Sequence, residues 1–207
     1  MKKTPLEKLR EKEKKARQKL LVDAAERVFA AKPFPKVSMR DISGESGVSL
    51  SSIYRYFPDQ ESLFLAALVR GAKKAEKVLI PLVEKEDILP EDVAEAFVDF
   101  LVDNDPYFRM MTHFMLDGVL NEESILILNR IEGGLLDQFE KMFKKLTPLE
   151  NSRMQAHAFF AALNGVLITY RNYPGREIPH VHQHMKQLAR NLAAMFVRPG
   201  PGGKPVL

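Results

Sequence analysis

The stretch that most constrains the fold of this chain is residues 38–60, which has the pattern of two short helices joined by a sharp corner. Ser38 is suited to cap the first helix, because its hydroxyl can accept a hydrogen bond from the N–H of Asp41. Gly47 ends that helix, since glycine adopts the left-handed conformation without steric cost. Ser49 follows as the cap of a second helix. The spacing predicts a helix-turn-helix.

The two predicted helices divide their side chains between a small core and an outer surface. The residues expected to share the core are Ile42, Val48, Ile53 and Phe57. The residues expected on the outer side are Leu50, Ser51, Ser52, Tyr54 and Arg55. In such a motif the second helix enters the major groove of DNA, with its N-terminal residues at the base edges.

This region resembles the DNA-binding region of tetracycline-repressor (TetR) family regulators. The resemblance rests on Ala24-Ala25 with Phe29, Ser38–Ile42, Gly47–Ser49, Ile53–Pro58 and Glu61–Leu63. It implies an all-α fold with an N-terminal three-helix head and a C-terminal helical bundle. The periodicity of the whole chain indicates about nine helices in total.

Three places depart from the family pattern, and the first is Lys32-Pro33-Phe34, which occupies the usual glycine-containing end of the first helix. Gln60 stands where the family often has a lysine, which removes one expected phosphate contact. Ser43-Gly44 replaces the usual alanine and charged residue inside the first helix of the motif, where glycine costs about 1 kcal/mol relative to alanine. None of the three removes a residue of the predicted core.

The predicted DNA contacts follow from the motif and the resemblance, and they are Ser38, Arg40, Ser49, Leu50, Ser51, Ser52, Tyr54, Arg55 and Tyr56. Arg55 is suited to a bidentate contact with guanine, worth roughly 1–3 kcal/mol of discrimination, and Leu50 to a thymine methyl. The resemblance implies that Tyr54 and Tyr56 contact phosphates. Packing inside the head is an alternative for Tyr56, and a solvated charge is an alternative for Arg55.

Positive charge is concentrated in the same part of the chain. Residues 1–60 contain 14 Lys/Arg and 8 Asp/Glu, whereas residues 61–207 contain 17 and 19. This asymmetry is typical of a surface that meets DNA phosphates. For Lys2 to Lys15 alone, a solvated lysine-rich helix explains the charge equally well.

Composition and motifs argue against other classes of protein. The chain has no cysteine, which excludes disulfides and thiolate sites. The apolar run Phe159–Tyr170 is too short to span a bilayer, so we expect a cytoplasmic protein that does not enter a membrane. No serine-nucleophile, phosphate-loop or zinc-protease motif is present, so we predict neither an enzyme nor a cofactor.

The rest of the sequence is predicted to be helical. A first helix over 6–31 would carry the stripe Leu20, Leu21, Ala24, Ala25, Val28 and Phe29. Further helices are predicted from Gln60 with Pro81 as its limit, from Pro90, from Asp105-Pro106 to Gly118, over Asn121–Lys145, from Thr147-Pro148 to about Asn172, and over His182–Phe196. The predicted domains are a DNA-binding domain at 15–75 with the helix-turn-helix at 38–57, a ligand-binding and dimerisation domain at 76–198, and a flexible tail at 199–207.

The second predicted domain is rich in Phe and Met, and the family resemblance implies an effector pocket there. The candidate lining residues are Phe97, Phe100, Phe108, Met111, His113, Phe114, Phe139, Phe143, Phe160 and Asn164. Such a lining favours a small apolar or aromatic effector. His113 and Asn164 either orient that ligand or bond to backbone carbonyls.

His180, His182 and His184 form the other visible cluster. His180 and His184 would share a helix face, but two histidines make an incomplete metal site. We therefore predict no metal.

These features favour a ligand-responsive repressor that binds a palindromic DNA operator as a homodimer through its last two helices. Small residues at Ala158, Ala161, Ala162 and Gly165 would allow close approach there. The alternative is a DNA-binding module without a small-molecule effector, controlled by a protein partner or acting constitutively. An enzyme is a third possibility, which the missing catalytic motifs disfavour.

Overall fold

The computed structural model describes residues 4–117, 120–146 and 151–197. Within these ranges it contains helices, turns and loops and no strand, which confirms the predicted all-α class. The helices are α1 (Pro5–Ala31), α2 (Met39–Ser46), α3 (Leu50–Tyr54), α4 (Gln60–Val83), α5 (Pro90–Asp103), α6 (Asp105–Asp117), α7 (Glu122–Leu146), α8 (Ser152–Tyr170) and α9 (Ile178–Val197), with a 3₁₀ turn at Phe34–Lys36.

Two predicted helix ends are wrong. α4 continues through Pro81 to Val83; Lys77 and Pro81 are both exposed, so water can serve the carbonyl that loses its partner. α9 begins at Ile178 rather than His182, because Pro179 is tolerated in a first helical turn. The predicted start at Thr147-Pro148, the predicted end at Gly118 and the tail at 199–207 lie outside the described residues.

The described residues fall into two compact units. The first contains those within Met1–Gly71 and Asp105–Leu128, and the second those within Ala72–Asn104 and Asn129–Leu207. The predicted boundary at 75/76 concerns function rather than compactness, so it stays a prediction.

The core of the first unit is an aromatic cluster around the C-terminal end of α1. Phe64 of α4 packs edge-on against Phe29 and Phe34, with ring centroids 5.1 and 4.9 Å away, and Phe114 of α6 lies 5.0 Å from Phe64. Of the predicted α1 stripe, Leu20 is the exception, at 45% exposed. Leu20 directly precedes Leu21, the first buried residue of α1, so it belongs to the part of the helix that extends past the core.

The core of the second unit joins helices α5, α7, α8 and α9. Phe139 of α7 packs against Phe97 of α5 and Phe159 of α8, at 5.7 and 5.2 Å between ring centroids. Along the rim of α5 and α9, the carboxylate of Glu95 pairs with Lys186 at 2.7 Å and with Arg190 at 2.8 Å. These two cations hold the pKa of Glu95 below its ordinary value through hydrogen bonds.

Candidate nucleic-acid interface

The first helix of the motif begins with a reciprocal cap. The Asp41 N–H donates to the Ser38 hydroxyl at 3.3 Å, and the Ser38 N–H donates to the Asp41 carboxylate at 2.9 Å. Lys32 adds an ion pair to the same carboxylate at 2.7 Å. The hydrogen bonds from Lys32 and then Ser38 lower the pKa of Asp41 to about 2. The predicted Ser38 cap is confirmed, and it fixes where α2 starts.

The corner between α2 and α3 is held by glycine and serine. Gly47 adopts φ 67°, in the left-handed region, as its predicted place at the helix end requires. The Ser43 hydroxyl donates to the Val48 carbonyl at 2.7 Å, and the Val48 N–H donates to the Ser46 hydroxyl at 3.2 Å. The polar groups of the turn are therefore partnered locally, which gives the corner a defined direction.

Helix α3 is short and is anchored from one side. Ile53 is completely buried, and Phe57 beyond the helix is buried as well. Ser49 occupies the N-cap position as predicted, but its hydroxyl bonds the Ser52 hydroxyl at 2.9 Å and caps no backbone N–H. Val48, which was predicted to join the core, is only half-buried, because it lies in the turn itself.

The structure places the predicted DNA-contacting side chains on the surface of the head. Ser38, Arg40, Ser49, Ser51, Tyr54 and Arg55 are exposed, and Leu50, Ser52 and Tyr56 are half-buried. Tyr54 has 52% of its surface open. Arg55 follows α3 as its C-cap, so it stands at the end of the helix rather than in the N-terminal turns. Whether these side chains contact DNA stays a prediction.

Arg55 and Tyr56 form one wall of an open groove of about 430 Å³. The other wall comes from the first half of α1, through Arg10, Glu13, Lys14 and Arg17. The predicted contact set contains none of these α1 residues. The sequence signal for Arg10 and Lys14 was the basic run of Lys2 to Lys15, whereas Arg17 lies beyond that run. That the run faces Arg55 and Tyr56 depends on tertiary structure, which the sequence pattern did not indicate.

Gln60 has a structural role that the sequence did not indicate. Its side-chain amide donates to the Phe34 carbonyl at 2.6 Å, which ties the start of α4 to the 3₁₀ turn after α1. A lysine here would also carry a donor, so the contact depends on tertiary position rather than on a recognisable pattern.

The candidate effector-pocket residues are divided between the two units. In the second unit Phe97, Phe100, Phe139, Phe143 and Asn164 are buried and Phe160 is half-buried; in the first unit Phe108 is buried and Met111, His113 and Phe114 are half-buried. Within the second unit the ring of Phe97 lies near those of Phe139 and Phe160. A pocket formed from the whole set stays a prediction.

The two polar residues of that set bond to backbone carbonyls. Nδ1 of His113 lies 3.1 Å from the Phe29 carbonyl and 3.2 Å from the Lys32 carbonyl. The side-chain amide of Asn164 donates to the Phe160 carbonyl at 2.8 Å. The sequence left two roles open for these residues, orienting a ligand or bonding to backbone carbonyls. The contacts correspond to the second role.

The histidines near the start of α9 have separate partners. His182 contacts the Asp99 carboxylate at 2.8 Å, His180 lies 3.7 Å from the Glu177 carboxylate, and the His184 ring packs edge-on against Tyr170. Across residues 4–117, 120–146 and 151–197 no group of three or more His, Cys, Asp or Glu residues is arranged to hold a metal ion.

No helix in the described part of the chain combines the length and apolarity needed to cross a membrane.

Comparison with known proteins gives matches in sequence and in fold. Residues 21–67 match the family model described as bacterial regulatory proteins, tetR family. An uncharacterized HTH-type transcriptional regulator, YfiR of Bacillus subtilis (strain 168), is 23% identical over 137 residues, which is 64% of this chain and 66%, just under two thirds, of that protein.

Two solved structures illustrate the similarity in fold. A transcriptional regulator from Rhodococcus sp. Rha1 has a TM-score of 0.70 at 15% identity, over 89% of this chain and 99% of that one. The protein from Saccharomonospora viridis solved in complex with choline has a TM-score of 0.65 at 17% identity, over 84% and 95%.

Proposed function

The chain belongs to the tetR family of bacterial regulatory proteins, and from this premise we propose that it is a repressor released from a palindromic operator by a small effector. Members of the family are DNA-binding transcription factors rather than enzymes. Repression, the palindromic operator and release by an effector are the parts of this function that we propose. We further propose that the protein works in the cytoplasm, where the DNA of a bacterium lies.

The observation that carries the proposal is the outward surface of the helix-turn-helix. Ile42 and Ile53 are completely buried, while Ser51, Tyr54 and Arg55 point away from the core. A recognition helix needs this division, because only exposed side chains can reach base edges and phosphates.

The proposed homodimer uses α8 and α9. On α8, Met154 and Ile168 are 60% and 59% exposed, and Ala161 and Gly165 lie exposed between them. Their spacing places them on one side of the helix, where small residues let a second helix approach closely. Two copies joined there would present two heads to DNA, with half-sites one helical turn or a multiple of it apart.

The proposed effector site lies in the helical region C-terminal to residue 75, and its support is chemical. The second unit has an aromatic core, and Oε1 of Gln155 is buried there with no hydrogen-bond partner among the described residues. A buried acceptor without a partner costs free energy, so an apolar or aromatic effector that carries one donor group suits this region. The choline complex of the Saccharomonospora viridis protein is a case of the same fold with a small organic molecule.

In the proposed mechanism the effector shifts a population. An effector that binds better to a dimer with mis-spaced heads removes that dimer from its operator, by no more than its differential affinity for the two states. The alternative is a module without an effector, which a protein partner controls or which acts constitutively. No described contact favours that alternative.

The test combines DNA selection with ligand screening. Selection from random duplexes should return an inverted repeat, and a single unrepeated site would contradict the dimeric operator.

Thermal unfolding with a panel of apolar and aromatic compounds should show a rise in Tm for at least one compound. Gln155→Leu should reduce that rise, whereas the matched exposed change Gln183→Leu should not. A panel without any rise would favour the module without an effector.

A further inference from the structure

We infer that the first half of α1 is a second DNA-binding element, which grips the phosphate backbone beside the helix-turn-helix. The inference rests on the proposed DNA binding and adds residues that neither the family match nor the predicted contact set contains. It is carried by the shape, exposure and charge of the groove between α1 and the end of α3.

The first half of α1 is a regular helix that contributes nothing to the core. It begins with a reciprocal cap, in which the Glu7 N–H donates to the Thr4 hydroxyl and the Thr4 N–H donates to the Glu7 carboxylate at 2.7 Å. The first buried residue of α1 is Leu21, and the family match also begins there. The preceding turns are therefore an extension whose side chains are available to a partner.

The charge of this extension is mostly unneutralised. Residues 5–19 contain seven Lys/Arg and three Glu. Each of the glutamates is already engaged: Glu7 with Thr4, Glu11 with Lys15 at 3.3 Å and Glu13 with Arg17 at 2.8 Å. Among the described residues, Lys8, Arg10, Lys12 and Lys14 have no carboxylate within ion-pair distance.

The arrangement of these cations selects one face. Arg10, Lys14 and Arg17 are spaced four and three residues apart, so they share a side of the helix. That side forms the groove wall opposite Arg55 and Tyr56. Lys8 and Lys12 lie on the other side, because they are about half a turn away from Arg10 and Lys14.

The groove suits a polyanion better than a neutral ligand. Its lining consists of four cations, one tyrosine and a glutamate that is already paired with Arg17. Phosphodiester oxygens are bound by arginine, lysine and tyrosine side chains of this kind. Because Arg55 belongs to the outward surface of the helix-turn-helix, a strand that passes Arg55 also passes Arg10 and Lys14. The occupant we assign is therefore the DNA backbone that flanks the base contacts.

The experiment compares two double variants with the same change in charge. Arg10→Gln with Lys14→Gln removes two cations from the groove, and Lys8→Gln with Lys12→Gln removes two from the opposite side. All four residues are exposed, so both variants should fold, and circular dichroism checks that α1 persists. The probe is a fluorescent 30-bp duplex of random sequence, titrated by anisotropy between about 50 and 300 mM KCl.

A plot of log K against log[KCl] falls with a negative slope. In the groove variant this slope should be less steep by about 2 per protomer, since each lost phosphate contact removes about 0.9 from its magnitude. The control variant should keep the slope of the parent protein. Equal changes in both variants would mean general attraction without a contacting face, and an unchanged slope in the groove variant would mean no contact; either result overturns the inference. A parent protein that binds no duplex at any salt would contradict the proposed function itself, and the inference with it.

Discussion

Gly44 and Gly47 are three residues apart in the motif, but their backbones make opposite demands. Gly44 lies inside α2, where an added Cβ would meet no atom within 4 Å, whereas Gly47 has φ 67°. We expect Gly44→Ala to raise the free energy of unfolding by about 1 kcal/mol, since alanine favours the helix. Gly47→Ala should lower it by about 1–2 kcal/mol because of the left-handed backbone. Urea unfolding of both variants provides the test, and shifts of the same sign would contradict it.

The carboxylate of Asp41 should titrate far below an ordinary aspartate. Its pKa is lowered from 3.8 to about 2, mainly by the hydrogen bond from Lys32. Since the folded pKa lies below the unfolded one, the stability that the charged cap contributes is present above about pH 4 and is lost as the pH falls toward 2. The carboxyl carbon shift in NMR reports the midpoint directly.

Lys32→Met should move that midpoint upward, because it removes the largest cause of the shift, while Lys36→Met, an exposed lysine four residues on, should not. A midpoint near 3.8 in the parent protein would contradict the capped geometry.

The sequence predicted the residues of the corner whose roles depend on local rules. Ser38 and Gly47 act through hydrogen bonds and backbone conformation within a few residues, so their pattern was sufficient. Gln60 and Arg55 depend on what surrounds them. The contact from Gln60 to Phe34 crosses 26 residues of sequence, and the position of Arg55 follows from where α3 ends, which periodicity in five residues cannot define.

At the scale of elements, α4 and α6 meet at a point where a side chain has no room. A Cβ at Gly71 of α4 would overlap the ring of Tyr107 in α6. We expect Gly71→Ala to destabilise the protein by about 1–3 kcal/mol through overpacking, despite the better helix propensity of alanine. Thermal and urea unfolding measure the change.

Gly133→Ala is the matched control, because Gly133 also lies inside a helix but has open space around its Cα. This control should be neutral or stabilising by up to about 1 kcal/mol. A Gly71→Ala variant as stable as Gly133→Ala would contradict the packing of Tyr107 on α4.

Within the described residues, the number and order of the helices could be predicted from periodicity and caps, but some helix ends could not. The starts of α5 and α6 were predicted because proline in the first turn marks them. α4 passes Pro81, since a proline near the last turn removes only one helix hydrogen bond. The charged rim between α5 and α9 was also missed, because its pairs join residues about 90 positions apart.

At the scale of the molecule, the proposed dimer makes Gly165 sensitive to size. A Cβ at Gly165 meets nothing within 4 Å in the single chain, so Gly165→Arg should leave the fold intact. We expect it to shift the chain from dimer to monomer in sedimentation equilibrium, because an arginine would separate the two α8 helices. The control variant Gly133→Arg should sediment as a dimer, like the parent protein. A monomeric parent protein, or a dimer that tolerates Gly165→Arg, would contradict the proposed interface.

The sequence predicted the class of the protein more fully than its ligand. The helix-turn-helix is a local pattern that the fold preserves, and the family match at residues 21–67 covers it. The candidate pocket residues came from the family resemblance and from the Phe- and Met-rich composition of the second predicted domain. The structure divides them between two units, and it shows that His113 and Asn164 bond to backbone carbonyls.

The most direct test of the central claim, that the surface around Arg55 reads DNA sequence, is the ratio of affinities for the selected operator and a scrambled duplex. Anisotropy at one fixed salt concentration measures both for the parent, Arg55→Ala and the exposed control Arg130→Ala. We expect Arg55→Ala to lose about 1–3 kcal/mol of discrimination while it stays dimeric, and Arg130→Ala to match the parent. Full discrimination in Arg55→Ala, or a parent protein that binds both duplexes equally, would contradict it.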